Sequence, residues 1–165
     1  MTEGTTTENQ LSEQASARFV DGYLAYLLAQ ASSRISREFH REVEASGLSV
    51  TEWRVIASLS GSEGESIGTL AQLALTKQPT LSKVVQRMEA EGLVERTGAR
   101  RDRRQTVVRL TRKGRGLADS LCARALRHQQ AVLDPFGHEN AALLIGMLKD
   151  VIALHPPSGA PADGD

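Results

Sequence analysis

The chain has 165 residues, 20 Lys/Arg balanced by 20 Asp/Glu, a hydrophobic share of 40% and one cysteine. That composition supports one domain with a real core, and it excludes an intrachain disulfide and a cysteine-based metal cluster. No apolar run approaches the ~18 residues of a membrane span, and the polar start MTEGTTTENQ lacks the apolar core of a signal peptide; a soluble, cytoplasmic protein is expected.

Residues 1–16 are rich in Thr, Glu and Gln with little to bury, and read as a flexible arm. A first helix is predicted from about Ala17 to Ala45. Leu24, Leu27, Ala31, Ile35, Phe39 and Val43 recur at steps of three or four and form one apolar stripe. Ser46-Gly47 ends it. Ser49 is placed to cap a second helix, with Glu52 three residues on completing a capping box. Trp53, Val55, Ile56 and Leu59 give that helix its apolar bulk. Gly61–Glu65 reads as a turn, and Ser66 as the cap of a short third helix holding Ile67, Leu70, Ala71 and Leu73. Thr76 is the expected cap of a fourth helix reaching Glu91, with Pro79 in its first turn, where a missing N–H costs little. Gly92 stops it.

Two β-prone runs follow, Leu93–Thr97 and Gln105–Leu110, flanking a loop with Arg100, Arg101, Arg103 and Arg104. In the second run Thr106, Val108 and Leu110 share one face, and Gln105, Val107 and Arg109 the other. Thr111 is placed to cap a fifth helix to about Leu133. Asp134-Pro135 interrupts it, and a sixth helix runs from about His138 to His155, carrying Leu144, Met147, Leu148, Val151 and Ile152. The tail from Pro156 reads as frayed. The fold class expected is mainly α with a small β-hairpin.

Charge is segregated along this order. Between Lys77 and Arg115 there are 12 Lys/Arg against 4 Asp/Glu, so the neutral total hides a basic segment of net +8. Binding depends on the local field, and a bare arginine loop beside a polar helix suits phosphate or a DNA groove. On the fourth helix Leu81, Val84, Val85 and Met88 face inward at helical spacing. The polar positions are Lys77, Gln78, Thr80, Ser82, Lys83, Gln86 and Arg87. Such a helix fits the major groove, where Gln reads adenine and Lys or Arg reads guanine; Thr80 and Ser82 suit phosphates or bridging water. An ordinary solvated helix face is the competing explanation, and the arginine loop beside it weighs against that.

The order LSVTEWRVIASL, IGTLAQLALTKQPTLSKVVQRMEAEGLVER and RRDRRQTVVRLTRKGR resembles the MarR family of bacterial transcriptional regulators over roughly residues 20–155. The resemblance rests on a Trp in the second helix, an E-x-x-G-L-V-x-R exit from the fourth, an Asp-x-Arg in the loop and a Leu-Thr-x-x-Gly restart. It implies a homodimeric winged helix–turn–helix protein, usually a repressor of a palindromic operator released by a small ligand or an oxidant. It also implies that Arg104 enters the minor groove with Asp102 holding its guanidinium, while Arg100, Arg101 and Arg103 meet phosphates. On this reading residues 17–46 and 112–155 are dimerisation helices, 47–111 the DNA-binding domain, and 156–165 a flexible tail.

The family's usual ligand crevice lies between the dimerisation helices and the winged domain, and the resemblance implies one here. Ser32, Ser36 and His40 stack at i+4 spacing on the first helix, where two small serines leave room. His40 and Trp53 offer a polar contact and an aromatic wall. Ordinary roles compete, Trp53 as core and His40 as a surface or interface histidine. An aromatic acid or its thioester is the expected effector class. Cys122 is the one candidate for thiol sensing, set against a small apolar role in the fifth helix. The scattered histidines point to no metal site, and no motif points to a cofactor or to an enzyme. An activator, or an architectural DNA binder without an effector, is the alternative.

Overall fold

The structure, a computed structural model, describes residues 18–98 and 106–156. The predicted N-terminal arm, the loop arginines with Asp102, and all of the tail except Pro156 lie outside the described residues. The chain divides into two compact units, one ending at Phe39 and the other beginning at His40.

In the first unit a 3-10 turn, Phe19–Asp21, precedes helix α1, Leu24–Ala45, whose last residues belong to the second unit. Helix therefore begins at Leu24 rather than Ala17. Arg18 pairs with Asp21 at 3.0 Å, and Gly22, a poor helix former, closes the turn through its N–H to the Val20 carbonyl. Phe19 and Tyr23 stack with ring centroids 5.1 Å apart. Leu24, Leu27 and Ile35 of the predicted stripe are exposed.

The second unit holds α2, Val50–Leu59; β1, Glu65–Ser66; α3, Ile67–Leu73; α4, Gln78–Ala90; β2, Val94–Thr97; β3, Val107–Leu110; α5, Arg112–Leu133; and α6, Gly137–Leu154. A 3-10 turn at Asp134–Phe136 separates the last two helices, where Pro135 stops the helical ladder. Ser49 caps α2 with the full capping box, Ser66 caps α3 and Thr111 caps α5. Three helices end in the same two-bond motif, with a left-handed residue after the last turn. Gly47 and Gly92 supply it for α1 and α4, whereas α3 uses Leu75 at φ 53°. Thr76 is consumed by that exit, its N–H bonding the Ala71 carbonyl at 2.9 Å. The N-cap of α4 is consequently Lys77, which makes no side-chain capping bond, and not Thr76. Pro79 does lie in the first turn.

Another departure concerns Glu65, expected in a turn. With Ser66 it forms a strand on the open edge of β3, in register Glu65 opposite Val108 and Ser66 opposite Val107. The hairpin thus becomes a three-stranded antiparallel sheet in the order β1-β3-β2. Ser62 shapes the entry, donating to the Glu65 carboxylate at 2.8 Å and accepting from the Gly64 N–H at 3.1 Å. Two residues are too few to show alternation, so the strand left no pattern. In β3, Val108 and Leu110 are buried and Arg109 is exposed, as the pleat requires.

The core of this unit is built from Val55, Ile56 and Leu59 of α2, Leu70 and Ala71 of α3, Leu81, Val85 and Met88 of α4, Val94, Val108 and Leu110 of the sheet, and Ala118 and Leu121 of α5, all buried. α2 packs on α3, α4 and α5, so the two helices of the α3–turn–α4 pair and the sheet share one scaffold. Among the described residues no helix is long and apolar enough to cross a membrane.

Candidate nucleic-acid interface

Helix α4 turns Leu81, Val85 and Met88 into the core and leaves Lys83 and Gln86 on its outward face. Lys77, Gln78, Thr80, Ser82 and Arg87 are exposed too. The two flanks differ. At about 100° per residue, Gln78, Ser82 and Glu89 share the flank toward the sheet, and Thr80 and Arg87 share the other.

Each flank is braced by a carboxylate–guanidinium pair. On one, Arg87 donates through Nε and Nη2 to Oε1 of Glu52, at 3.0 and 2.8 Å. The Glu52 carboxylate is buried, and its other oxygen accepts from the Ser49 N–H and hydroxyl, both at 2.8 Å. Burial by itself would raise its pKa. The hydrogen bonds from Ser49, then the bond and charge of Arg87, outweigh burial and hold the carboxyl below its ordinary value. The same contact raises the pKa of Arg87. On the opposite flank Glu89 reaches out of α4 to β2, accepting from the Arg96 backbone N–H at 3.2 Å and from its Nε at 2.8 Å. The Arg96 hydrogen bond, with the Arg96 charge, lowers the Glu89 pKa against a smaller effect of burial.

A groove runs between α4 and the sheet, lined by Ile67, Gln78, Pro79, Ser82, Lys83, Gln86, Arg96 and Thr106. Four residues expected to contact DNA, Gln78, Ser82, Lys83 and Gln86, are brought together there. Ser82 donates its hydroxyl back to the Gln78 carbonyl at 3.0 Å and keeps its lone pairs outward. Sequence reasoning missed the Glu52–Arg87 pair, and it marked Glu89 and Arg96 only as the two ends of the E-x-x-G-L-V-x-R motif, without their contact. Glu52 and Arg87 are 35 positions apart, and Glu89 and Arg96 face each other only because the Gly92 turn folds β2 back on α4.

The exit from this site is tied down closely. The Thr111 hydroxyl donates to the Gly92 carbonyl at 2.6 Å and accepts from the Gly114 N–H at 3.0 Å, and the Thr111 N–H donates to the Leu93 carbonyl at 3.1 Å. Lys113 Nζ reaches the Glu91 carbonyl at 2.8 Å. A Cβ on Gly114 would meet the Leu93 carbonyl oxygen at 2.0 Å, so the Leu-Thr-x-x-Gly motif needs its glycine for a close approach of backbones.

Elsewhere, Ser32 is exposed and Ser36 half-buried in the first unit, and His40 and Trp53 are both half-buried in the second. Cys122 is half-buried on α5. No group of three metal-binding side chains occurs among the described residues.

A helix–turn–helix whose second helix presents polar residues beside an antiparallel sheet defines a winged-helix DNA-binding protein. A family model described as the MarR family matches residues 46–105. A crystal structure of a MarR family transcriptional regulator of Silicibacter pomeroyi superposes with a TM-score of 0.75 at 40% identity, covering 84% of this chain and 98% of that one. The transcriptional activatory protein BadR of Rhodopseudomonas palustris is 32% identical over 107 residues, 63% of this chain but only 61% of BadR. The homoprotocatechuate degradative operon repressor of Escherichia coli is 28% identical over 131 residues, 79% of this chain and 88% of the repressor. This chain therefore belongs to the MarR family and is a DNA-binding transcriptional regulator.

Proposed function

We propose that the protein is a homodimeric repressor that reads a palindromic operator and is released by a small aromatic acid or its thioester. The observation that carries the reading is the outward face of α4, where Lys83 and Gln86 line a groove that leads to the sheet. Lys83, Gln86, Gln78 and Arg87 are assigned to base edges, and Lys77, Thr80 and Ser82 to phosphates or bridging water. Arg104 is assigned to the minor groove with Asp102 orienting it, and Arg100, Arg101 and Arg103 to the backbone. A planar cation suits the negative potential of a narrow minor groove.

Dimerisation is supported by apolar surface left open in each unit taken alone. Leu24, Leu27 and Ile35 are exposed in the first, and Leu143, Leu144, Met147, Ile152 and Leu154 of α6 in the second. Residues 17–46 and 112–155 are accordingly assigned to the dimer, and 47–111 to DNA. Two recognition helices about 34 Å apart then read two half-sites on one face of the duplex.

Genome-wide immunoprecipitation would supply the operator for the test. On that operator, Arg104→Ala is expected to weaken binding at least tenfold at physiological salt, with an unchanged melting temperature. Unchanged affinity in a gel shift removes Arg104 from the minor groove.

The effector class is supported by a relative named for an operon that degrades homoprotocatechuate, an aromatic acid. Ser32, Ser36, His40 and Trp53 are the residues assigned to it. Calorimetry with aromatic acids and their thioesters should give binding that His40→Ala weakens; equal affinity in the variant takes His40 out of the site. One observation favours a second reading: the relative BadR is named an activator. A reporter fused to the target promoter separates the two, since deleting the regulator raises expression for a repressor and lowers it for an activator.

A further inference from the structure

From the groove between α4 and the sheet we infer that Arg96 is a phosphate-binding residue, held in place by Glu89 and seated on the DNA strand that passes between recognition helix and wing. The inference rests on the DNA-binding reading above and adds a residue to it. When a helix occupies the major groove and a wing the neighbouring minor groove, the ridge between them is a sugar-phosphate backbone. On that floor a cation that issues from the sheet, and not from the reading face of the helix, faces phosphate. Here that floor holds Arg96 with Lys83, Ser82, Gln86, Gln78 and Thr106, two cations and four neutral hydrogen-bonding side chains.

The geometry of Arg96 suits the task. Glu89 takes its Nε and Nη2 through a single oxygen, Oε2, while its Oε1 takes the Arg96 backbone N–H. One edge of the guanidinium is thereby fixed. Nη1 and the outer hydrogen of Nη2 stay on the other edge, and that fork matches two phosphate oxygens. The Arg96 side chain keeps 40% of its surface exposed, so a phosphate can reach it without displacing the carboxylate. Glu89 itself issues from the recognition helix, so the same pair sets the distance between α4 and β2. A phosphate bound there reads no base but fixes the register of both reading elements.

The test is the salt dependence of binding, measured by fluorescence anisotropy on the selected operator and on unrelated duplex. Each phosphate contact contributes about 0.9 to the slope of log K against log salt. Arg96→Ala is expected to lower that slope by about one unit per protomer and to weaken both duplexes by a similar factor, on the order of tenfold near 0.15 M salt. Arg96→Lys should keep the slope, and Glu89→Gln should lose affinity with the slope intact. An unchanged slope in Arg96→Ala overturns the proposal and leaves Arg96 as a brace only, with the DNA-binding reading standing on the wild-type curve. Should Arg96→Ala fail to fold, neutral methylphosphonates walked along the operator decide the matter. One position should weaken the wild type and leave the neutral variant Arg96→Gln less affected; equal losses in both proteins overturn the proposal. A wild type with no salt-dependent binding to any duplex overturns the inference and the DNA-binding reading together.

Discussion

Gly114 carries more of this structure than its size suggests. Its N–H is capped by Thr111, and its missing side chain lets α5 lie against the Leu93 carbonyl, at 2.0 Å from where a Cβ would stand. Gly116, two residues on, is exposed and meets nothing within 4 Å. The pair gives an internal control. Gly114→Ala should cost at least the ~1–3 kcal/mol of core overpacking, seen as a lowered melting temperature. Gly116→Ala should stabilise by about 0.5–1 kcal/mol, since alanine is the better helix former. Equal behaviour of the two variants in thermal unfolding would refute the close approach. The motif itself was visible in the sequence, but its reason was not, because the atom that excludes a side chain belongs to Leu93, 21 positions earlier.

At the level of elements, α4 is held between two ion pairs. The capping box at Ser49 was legible because its partners are three residues apart. The second use of Glu52, reaching Arg87, was not, because nothing local marks a pairing 35 residues distant. The same reasoning covers β1, whose two residues show no period, and the N-cap of α4, where the left-handed Leu75 moved Thr76 into the preceding helix end. The braces predict a pH dependence. Both Glu52 and Glu89 have pKa values below the ordinary carboxylate value, so the folded state prefers them ionised. Their contribution to stability is fully present above the unfolded-state value, about 4.3, and is lost as pH falls through the lower folded values. The urea midpoint should therefore drop as pH is lowered from 6 toward 3. In Glu52→Gln the midpoint should be lower at pH 6 and the acid limb shallower. An acid limb as steep in Glu52→Gln as in the wild type would exclude Glu52 from that linkage.

For the molecule as a whole, what was most legible was patterning. Apolar spacing placed six helices, and the basic segment from Lys77 to Arg115 marked the face to look at despite zero net charge. Within that segment the described residues separate by position. Lys83 and Gln86 line the groove together with Gln78 and Ser82, and one edge of Arg87 is held by Glu52. The proposed effector site was not legible, for a physical reason. A ligand site is a shape assembled from distant side chains, and Ser32, Ser36, His40 and Trp53 carry no fixed spacing that chemistry demands, unlike a capping box or a helix stop. Symmetry is likewise invisible in one chain, although the exposed apolar residues on α6 and on the first part of α1 are what a two-fold partner would cover.

On the proposed function, two copies of α4 and the wing read one duplex sequence. Repeated in vitro selection from a random duplex library, followed by sequencing, tests it most directly. The expected result is enrichment of an inverted repeat whose half-site centres lie about 10 base pairs apart, with enrichment abolished by the double variant Lys83→Ala, Gln86→Ala. A library that emerges from repeated rounds with no sequence enriched, or with the same repeat enriched by that double variant, would contradict it.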